Sequence, residues 1–527
     1  MPVLIGIDVL GVQRFVFASN RLRDVVTGSF LVHWSTSYQG AFSGLVVENS
    51  ILLAGGGNAI VEFSSTPDAK LFAARYSRLL YDEVPGLEVV LVHEEFEIGK
   101  LAVALQNVQL KLARAKTERV PSVPLSGLSV TASCMETGLP ATRVDRDEKT
   151  VTISRNIYNR RDKKSEANRF WEKYMEDKTC YDFPLELDKL GRDKGDTSLI
   201  GIVHVDGNGV GGKIKQWLTE KIDSTADDDA VRCEYKEWSL AIDRLGQKAL
   251  QAVVDRIFQS VVASRDGQKV KVSGTPARLG FTLSQSNIHG RWLLPIRPIL
   301  LGGDDLTFVC DGRLALDLAE TALGVFEHSN IPHLGNITAS AGIAIVRVHS
   351  PFARGYELAE KLCGSAKGKL KEENVPGCAL DWHIGIARPG ETVTSIRNRQ
   401  YQANNSKQLS CRPYRLGIGK DDNKETWRWL SRMLLDDSNC GLRGDVWSER
   451  RNKVKALAEL VREGPGDVSS ALDAWRVVEN KLQLPLPISN DGFVSNRTPL
   501  LDAVEIMDLH LVLDEAYRTK IVEEKLP

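Results

Sequence analysis

The sequence lacks the features that would place this protein in several specialised classes. Its eight cysteines form no C-x-x-C pair and its nine histidines form no cluster at zinc spacing, so neither a structural zinc nor a redox motif is expected. No apolar run approaches the roughly 18 residues that span a bilayer. Met1 leads directly into the apolar segment 3–7, without a signal-peptide layout. These absences predict a reduced, cytoplasmic protein with no membrane partner.

An excess of charge is also lacking. Lys and Arg number 68 and Asp and Glu 69, a net charge of -1, which argues against a global basic field that coats nucleic acid. Apolar residues make up 42% and charged residues 26%, as in ordinary globular proteins. At roughly 150 residues per domain, the 527 residues predict three to four domains.

Apolar runs and amphipathic stretches alternate twice in the order β-α-β-β-α-β. This order predicts an α+β protein with two ferredoxin-like domains. We predict the first domain at 1–115, a connector at 116–195 with degraded periodicity, the second domain at 196–390, and a C-terminal helical domain at 391–527. Helices are expected there at 425–435, 448–462, 468–482 and 500–522, with a break at 464–466.

A basic stretch opens this C-terminal region. Residues 397–424 carry seven basic side chains against two acidic ones, with Tyr401 and Tyr414 interleaved. Such a composition is typical of a local RNA or DNA surface and equally of a solvated loop. Both interpretations stay open at the level of sequence.

Three carboxylates stand out by their position. Asp206 ends the apolar run 199–205, and Asp304 and Asp305 follow Gly302-Gly303 at a tight turn between two apolar runs. In a β-α-β-β-α-β fold the first strand lies beside the central hairpin, so these side chains can converge. Two carboxylates about 4 Å apart repel by roughly 4 kcal/mol at an effective dielectric of 20, which a proton or a divalent ion would relieve. Carboxylate oxygens suit Mg²⁺ or Mn²⁺, and we expect two ions.

The residues around these carboxylates fit a triphosphate. Gly207, Asn208 and Gly209 follow a strand and precede a helix, so their backbone amides can face phosphate oxygens. Lys367 can supply a positive charge to the same phosphates, and Ser239 is a candidate for reading the base. Taken singly, these residues also fit a turn and a solvated helix lysine. Two metals and a lysine together are typical of nucleotidyl transfer.

The second repeat, from residue 202 to residue 367, resembles the catalytic palm of the large subunit of type III CRISPR effector complexes, the Cas ten / Cmr two family. The first repeat resembles the other palm of that family. More distantly, the second repeat is similar to GGDEF diguanylate cyclases. The motifs that carry the resemblance are Gly6-Ile7-Asp8, Gly11 to Phe17, Gly55-Gly56-Gly57-Asn58, Val205-Asp206-Gly207-Asn208-Gly209, Pro295 to Phe308, Ser340 to Ala344, and Ala359-Glu360 with Ala366-Lys367.

The resemblance implies that two ATP molecules bind between paired palms and that one palm joins them into a cyclic oligoadenylate with release of pyrophosphate. It assigns the two metal ions to Asp206, Asp304 and Asp305 with Gly207, and the triphosphate to Lys367. Gly302 and Gly303 are expected to contact the nucleotide because, without a Cβ, their backbone can approach a ligand closely.

The first palm is expected to bind substrate without catalysing the reaction. It has Asn58 and Ala59 where the second palm has its two aspartates, and its nucleotide contacts would be Gly56, Gly57 and Asn58.

Two parts of the family pattern are missing from this sequence. The chain opens directly on the first palm and contains no His-Asp dipeptide, so cleavage of single-stranded DNA is not predicted. The frame of the family's zinc-binding segment is kept at 133–141, but only Cys134 remains, so no zinc is predicted.

Three functions from different classes follow. The first is a nucleotidyltransferase that makes a cyclic or linear oligoadenylate or a cyclic dinucleotide in antiviral defence, with ATP, an activating RNA and a messenger-sensing effector as partners. The second is a non-catalytic scaffold that binds CRISPR RNA and small CRISPR subunits. The third is a GGDEF-like cyclase that uses GTP or mixed nucleotides.

Overall fold

The computed structural model describes residues 1–119, 127–146, 150–175, 177, 179–190, 198–264, 267–286, 290–402, 407–417, 426–478 and 482–514. Within these ranges the fold is mixed α+β, with two main sheets joined by one continuous hydrophobic core. None of the described helices is both long enough and apolar enough to cross a bilayer.

The first sheet is built from the N-terminal residues. It has four strands in the order β2-β3-β1-β4, and every neighbouring pair is antiparallel. Residues of β1 are almost all buried, as expected for the apolar run that begins the chain. The strands are β1 (Val3–Leu10), β2 (Ile51–Gly55), β3 (Asn58–Phe63) and β4 (Glu88–Glu95).

Four helices accompany this sheet. The third begins where Ser65 accepts a hydrogen bond from the backbone N–H of Asp68, with Pro67 in the first turn. The fourth continues to residue 118, three residues beyond the predicted end of the first domain. The helices are α1 (Val12–Val16), α2 (Leu22–Ser35), α3 (Thr66–Glu83) and α4 (Leu101–Glu118).

The connector consists of short elements, which explains its weak periodicity. Its best-anchored residue is Arg161, which pairs with Asp24 of α2 and with Glu136 and Asp145 of the connector itself. Cys134 is buried in a small separate cluster with Ile153. The elements are β5 (Arg143–Asp145), β6 (Val151–Ile153), α5 (Arg155–Asp162), α6 (Lys164–Glu172) and β7 (Tyr181–Asp182).

The second sheet has six strands in the order β14-β15-β8-β16-β17-β18. Its first four strands are antiparallel neighbours, and β17 adds to β16 in parallel. The strands are β8 (Leu199–Gly207), β14 (Ile296–Gly302), β15 (Asp305–Asp311), β16 (Ala339–Arg347), β17 (Ala379–Ile384) and β18 (Tyr414–Arg415).

Four helices accompany the second sheet, and five short strands lie between β8 and β14. Asp228 of α8 accepts hydrogen bonds from the backbone N–H groups of Gly99 and Leu101, at 2.6 and 2.9 Å, and so caps α4 beside the first sheet. The elements are α7 (Val210–Asp223), α8 (Asp228–Ser260), β9 (Val261–Ala263), β10 (Val270–Val272), β11 (Gly274–Thr275), β12 (Phe281–Thr282), β13 (Trp292–Leu293), α9 (Ala315–Glu327) and α10 (Phe352–Glu373).

The C-terminal region is largely helical, with a break where the sequence predicts it. Gly464 ends one helix and Pro465 begins the next. The predicted helix 500–522 is wrong in its second half, because it ends at Met507 and the chain then forms a strand that pairs with β11. Residues 515–527 and residue 425 lie outside the described residues. The elements are α11 (Val393–Gln400), α12 (Trp427–Trp429) continued by a π-helix (Leu430–Leu435), α13 (Arg451–Glu463), α14 (Pro465–Val478), α15 (Leu500–Met507) and β19 (Val512–Leu513).

The described part of the basic stretch 397–424 does not offer stacking platforms to a nucleic acid. Tyr401 and Tyr414 are buried, at 5% and 0% exposure. Arg397 pairs with Asp381, and Arg412 is buried in the core. The interleaved tyrosines therefore belong to the core, and residues 403–406 and 418–424 lie outside the described residues.

Candidate active site

The structure brings the three predicted carboxylates to one edge of the second sheet. Asp206 is the penultimate residue of β8, Asp305 begins β15, and Asp304 lies in the turn between β14 and β15. Leu306 pairs with Val205 across the two strands, so the hairpin tip lies beside the end of β8. A Cβ atom at Gly207 would overlap the carboxylate of Asp304, so a glycine is required at that position.

Burial and mutual repulsion favour protonation of the two hairpin carboxylates. Burial, followed by the charge of Asp206, raises the pKa of Asp304 to about 6. Burial, followed by Asp206 and Asp304, raises the pKa of Asp305 well above its usual range. A cation bound among these groups would offset the repulsion and stabilise the ionised form.

Lys367 lies where the sequence predicts it. Its Nζ donates to Oδ2 of Asp206 at 2.6 Å and to the backbone carbonyl of Gly207 at 2.8 Å. The side chain of Asp206 is 39% exposed and that of Lys367 31% exposed, so both groups can be reached by a ligand. The amine is therefore adjacent to the carboxylates and available to an anionic ligand.

Asp305 is adjacent to His204, Thr307 and Tyr356. The sequence analysis did not identify these three residues as functional. Oδ1 of Asp305 is buried without a hydrogen-bond partner, although the side chain as a whole is 41% exposed. Nδ1 of His204 lies 3.4 Å from this oxygen and 3.0 Å from Oγ1 of Thr307. The ring of His204 packs edge-on against Tyr356 of α10. Burial lowers the pKa of His204.

Asn208 has a different environment from the one the sequence predicts. Its backbone N–H donates to the carbonyl of Thr338 at 2.7 Å, so this amide is not available to a phosphate. Its side chain donates to Thr338 and Gly377 and accepts from Ser340. Asn208 therefore ties the end of β8 to β16 through its backbone and its side chain.

Gly209 fits its predicted place. It has a positive φ of 69°, precedes α7 and leaves the first turn of that helix without a side-chain cap. The N-terminal amides of α7 thus have no side-chain cap, and phosphate binding by this loop stays a prediction.

The residues fit a divalent cation in their chemistry. Asp206, Asp304 and Asp305 offer only oxygen donors, and the orphaned Oδ1 of Asp305 lacks the partner that a buried carboxylate oxygen needs. Within the described residues, no group of three or more His, Cys, Asp or Glu side chains is placed so that together they could hold a metal ion. The ammonium group of Lys367 is instead the closest cation to Asp206.

The two main sheets meet at their hairpin tips. A Cβ atom at Gly302 would lie 2.7 Å from Cα of Gly56, and one at Gly56 would lie 3.1 Å from Cα of Gly302. Gly246 of α8 in turn abuts the backbone carbonyl of Gly303. Glycine at these positions lets the two backbones come into contact, so the carboxylates of the second sheet lie next to the first sheet.

The strand pairing in the two hairpins shows which residues of the first sheet correspond to Asp304 and Asp305, and it differs from the correspondence expected from the sequence. Gly55 pairs with Asn58 in the first sheet, as the last residue of β14 pairs with Asp305 in the second. Gly57 and Asn58, rather than Asn58 and Ala59, therefore occupy the positions of the two hairpin aspartates. A glycine and an amide at these positions still supply no carboxylate.

The sequence analysis missed an ion pair of the first sheet. Asp8, opposite Asn58 in the ladder, pairs with Lys116 of α4. Lys116 is the sixteenth residue of α4, as Lys367 is the sixteenth residue of α10. Matching Ile7-Asp8 of the first repeat with Val205-Asp206 of the second would have revealed this pair, because Asp8 lies opposite Asn58 as Asp206 lies beside Asp305.

The helix α8 supplies one predicted and one unpredicted residue near the hairpins. Ser239 is partly buried on this helix, and its role in reading a base stays a prediction. Asp243, one turn further along, points toward the first hairpin, with Oδ1 3.9 Å from a Cβ placed on Gly55. Burial raises the pKa of Asp243.

No protein-family model and no curated protein sequence matches this chain. Among solved structures, it is similar to the crystal structure of Csm1 in T. onnurineus, with 14% identity and a TM-score of 0.54. It is also similar to the Csm1-Csm4 cassette in complex with AMPPNP, with 16% identity and a TM-score of 0.53, and to the cassette in complex with cA3, with 14% identity and a TM-score of 0.52. Each match covers 97% of this chain and 70% of the other.

These matches show that the chain has the fold of Csm1. Because Csm1 is a type III large subunit, the resemblance found in the sequence is confirmed at the level of the fold. At 14 to 16% identity the likeness does not extend to activity.

Proposed function

We propose that this protein is a metal-dependent nucleotidyltransferase that joins ATP into a cyclic or linear oligoadenylate, or a cyclic dinucleotide, with release of pyrophosphate. The observation that carries the proposal is the meeting of Asp206, Asp304 and Asp305 beside Lys367, at the contact between the two sheets. In this proposal each sheet is a palm of ferredoxin-like topology, with the shared strand order β2-β3-β1-β4 and β14-β15-β8-β16.

Asp206, Asp304 and Asp305 would hold two Mg²⁺ or Mn²⁺ ions. Such ions lower the pKa of an attacking 3′-hydroxyl and stabilise the leaving triphosphate. Because the pKa of Asp304 is raised to about 6, its carboxyl group is largely protonated below pH 6 when no metal is bound. Binding of a metal ion would then release this proton. Lys367 would exchange its contact with Asp206 for the triphosphate, as a point charge on a flexible stem.

The first sheet would bind the second nucleotide without catalysing its transfer. Its hairpin tip touches that of the second sheet at Gly56, and it provides Gly57 and Asn58 where the other provides carboxylates. The solved structures of similar fold include cassettes with AMPPNP and with cA3, which supports adenine nucleotides as ligands. Csm4 in those cassettes likewise supports a partner subunit for this chain.

The test is incubation with each nucleoside triphosphate and Mg²⁺ or Mn²⁺, with pyrophosphate release followed and products identified by mass spectrometry. We expect an adenylate product that the Asp304→Asn/Asp305→Asn variant does not make. The matched control is Asp223→Asn/Asp467→Asn, which removes two exposed carboxylates outside the site. A hairpin variant that turns over ATP at the parent rate would exclude the proposal.

A scaffold function is the second candidate, and the close Lys367–Asp206 pair favours it. An ammonium group 2.6 Å from Oδ2 of Asp206 is itself a counter-ion, so the carboxylates can persist without a metal. Thermal unfolding separates the two functions. A shift with ATP and Mn²⁺ that is lost in the hairpin variant supports the enzyme, and no shift, together with co-purifying small RNA and small CRISPR subunits, supports the scaffold.

A further inference from the structure

A second polar cavity lies between α10, α11 and the segment 408–413. It has a volume of about 700 Å³, within the range of small-molecule sites. On α10 it is lined by Lys361, Ser365, Gly368 and Lys369. At 100° per residue these positions centre on the face of α10 turned away from Lys367, so the cavity is separate from the candidate active site.

Positive charge predominates in the wall of this cavity. Its cationic side chains outnumber its carboxylates, which are Glu372 and Glu373. One of the cations, Arg412, is fully buried and bonds Asp502 and Glu505 at 2.8 and 3.0 Å, so its charge is already compensated. The cations of the wall are Lys361, Lys369, Arg397, Arg412 and Arg497.

Two of these cations, Lys369 and Arg497, retain capacity for an anion. Lys369 is only 12% exposed, and its closest carboxylate, on Glu373, is 3.7 Å away. Arg497 forms no ion pair with any residue that the structure describes. Arg397 donates through Nη2 to Asp381 and to the carbonyl of Trp382, so its charge is compensated like that of Arg412.

The first turn of α11 opens into the same cavity. Thr392 caps this helix by accepting from the N–H of Ser395, while Val393 and Thr394 line the wall. The positive end of the helix dipole therefore adds to the field of Lys369 and Arg497. This combination of Arg, Lys and a helix N-terminus is typical of phosphate binding.

The cavity is also lined by neutral polar groups that can form hydrogen bonds with a base or a sugar. The wall carries the side-chain amides of Asn398, Gln402 and Gln408 and the hydroxyl of Ser410. Carboxamides can bond a base edge through a donor and an acceptor at once. We propose that this cavity binds a nucleoside phosphate, either as a free nucleotide or as one unit of a single-stranded chain.

The test uses the full chain with Asp304→Asn/Asp305→Asn and without divalent ions, so that the candidate active site is silenced. The probe is ADP carrying a fluorescent mant group on its ribose, titrated into this parent and into a form that also carries Lys369→Gln/Arg497→Gln. We expect the latter to bind at least tenfold more weakly. Lys371→Gln/Arg354→Gln, two exposed cations of α10 outside the cavity, should leave the affinity within twofold. Lys369→Arg/Arg497→Lys should restore binding.

Competition identifies the recognised chemistry and its source. Displacement by ADP but not by adenosine supports recognition of the phosphate, and displacement by adenosine at equal concentration would overturn it. A five-residue oligoadenylate that competes better than ADP assigns the cavity to a chain, and the reverse assigns it to a free nucleotide. Equal affinities of the parent and of Lys369→Gln/Arg497→Gln, or no binding to the parent at millimolar probe, would refute the proposal.

Discussion

The two main sheets share a design, but their hairpins differ in charge. Each sheet has a strand with an aspartate near its C-terminal end, a glycine-rich hairpin beside it, and a helix whose sixteenth residue is a lysine paired with that aspartate. The second sheet adds Asp304 and Asp305 to this frame, whereas the first has Gly57 and Asn58. The first sheet therefore has the same strand arrangement and the same kind of Asp–Lys ion pair as the second, but not its cluster of carboxylates.

The accessibility of the paired aspartates differs as well. The side chain of Asp8 is 7% exposed, while that of Asp206 is 39% exposed. Burial raises the pKa of Asp8, and Lys116 partly offsets the effect. The aspartate of the first pair is therefore buried, whereas the aspartate of the second pair is open to solvent.

The largest expected effect comes from single substitutions at the matched hairpin positions. We expect Asp305→Asn to lower the rate of pyrophosphate release by about 10³-fold or more, because it removes an anionic metal ligand. Asn58→Ala, at the same position of the first hairpin, should change kcat by less than about tenfold and act on KM. Steady-state kinetics with ATP and Mn²⁺ measure both. Equal losses of kcat would show that the hairpins have equivalent roles.

Lys367 and Lys116 occupy matched positions, but we expect substitution of Lys367 to affect turnover and substitution of Lys116 to affect the stability of the fold. Lys367→Met should reduce turnover by about 10²-fold, because it removes the positive charge that would neutralise the triphosphate. Lys116→Met should leave turnover within about fivefold but destabilise the fold by about 1–3 kcal/mol at pH 7.5, because Asp8 remains buried without its partner. Thermal unfolding at pH 7.5 and pH 5 tests this. The destabilisation should be smaller at pH 5, where Asp8 can take up a proton. A destabilisation independent of pH would contradict this explanation.

The contact between the sheets should depend on glycine at the second hairpin. Gly302→Ala places a Cβ 2.7 Å from Cα of Gly56, and we expect about 1–3 kcal/mol of destabilisation, with reduced activity. Gly211→Ala is the control, since no atom lies within 4 Å of its Cβ position. Thermal unfolding of both variants is the measurement. Equal stability of the two would mean that the hairpin tips do not touch in solution.

The smallest effect concerns pH. The pKa of Asp304 is about 6 in the folded protein against an ordinary value of 3.8, so the folded state binds this proton more tightly. Stability from this group is therefore lost as the pH rises from about 4 to about 6, and Asp305 acts in the same direction.

Asp304→Asn/Asp305→Asn should therefore be more stable than the parent by on the order of 1 kcal/mol at pH 7.5, and by nearly nothing at pH 4. Thermal unfolding across this range, without divalent ions, measures the difference. A variant that is less stable than the parent at pH 7.5 would show that the ionised carboxylates are already compensated by neighbouring groups.

Local patterns in the sequence were sufficient to predict several elements of the site. The apolar run 199–205 predicts a buried strand, and the glycines at 302 and 303 predict a hairpin, which together place Asp206 near Asp304 and Asp305. The helix 500–522 could not be delimited in this way, because its end at Met507 depends on pairing of the next residues with β11. Tyr401 and Tyr414 similarly look like surface aromatics until tertiary packing buries them.

The sequence by itself determined which residue types stand at the ends of strands and in turns, since these depend on local periodicity and on the backbone freedom of glycine. Only the tertiary structure decided that Asn208 braces two strands, that Lys367 binds Asp206, and that Gly56 meets Gly302. These contacts join residues more than 100 positions apart, and they depend on how two sheets pack, which no short-range pattern encodes.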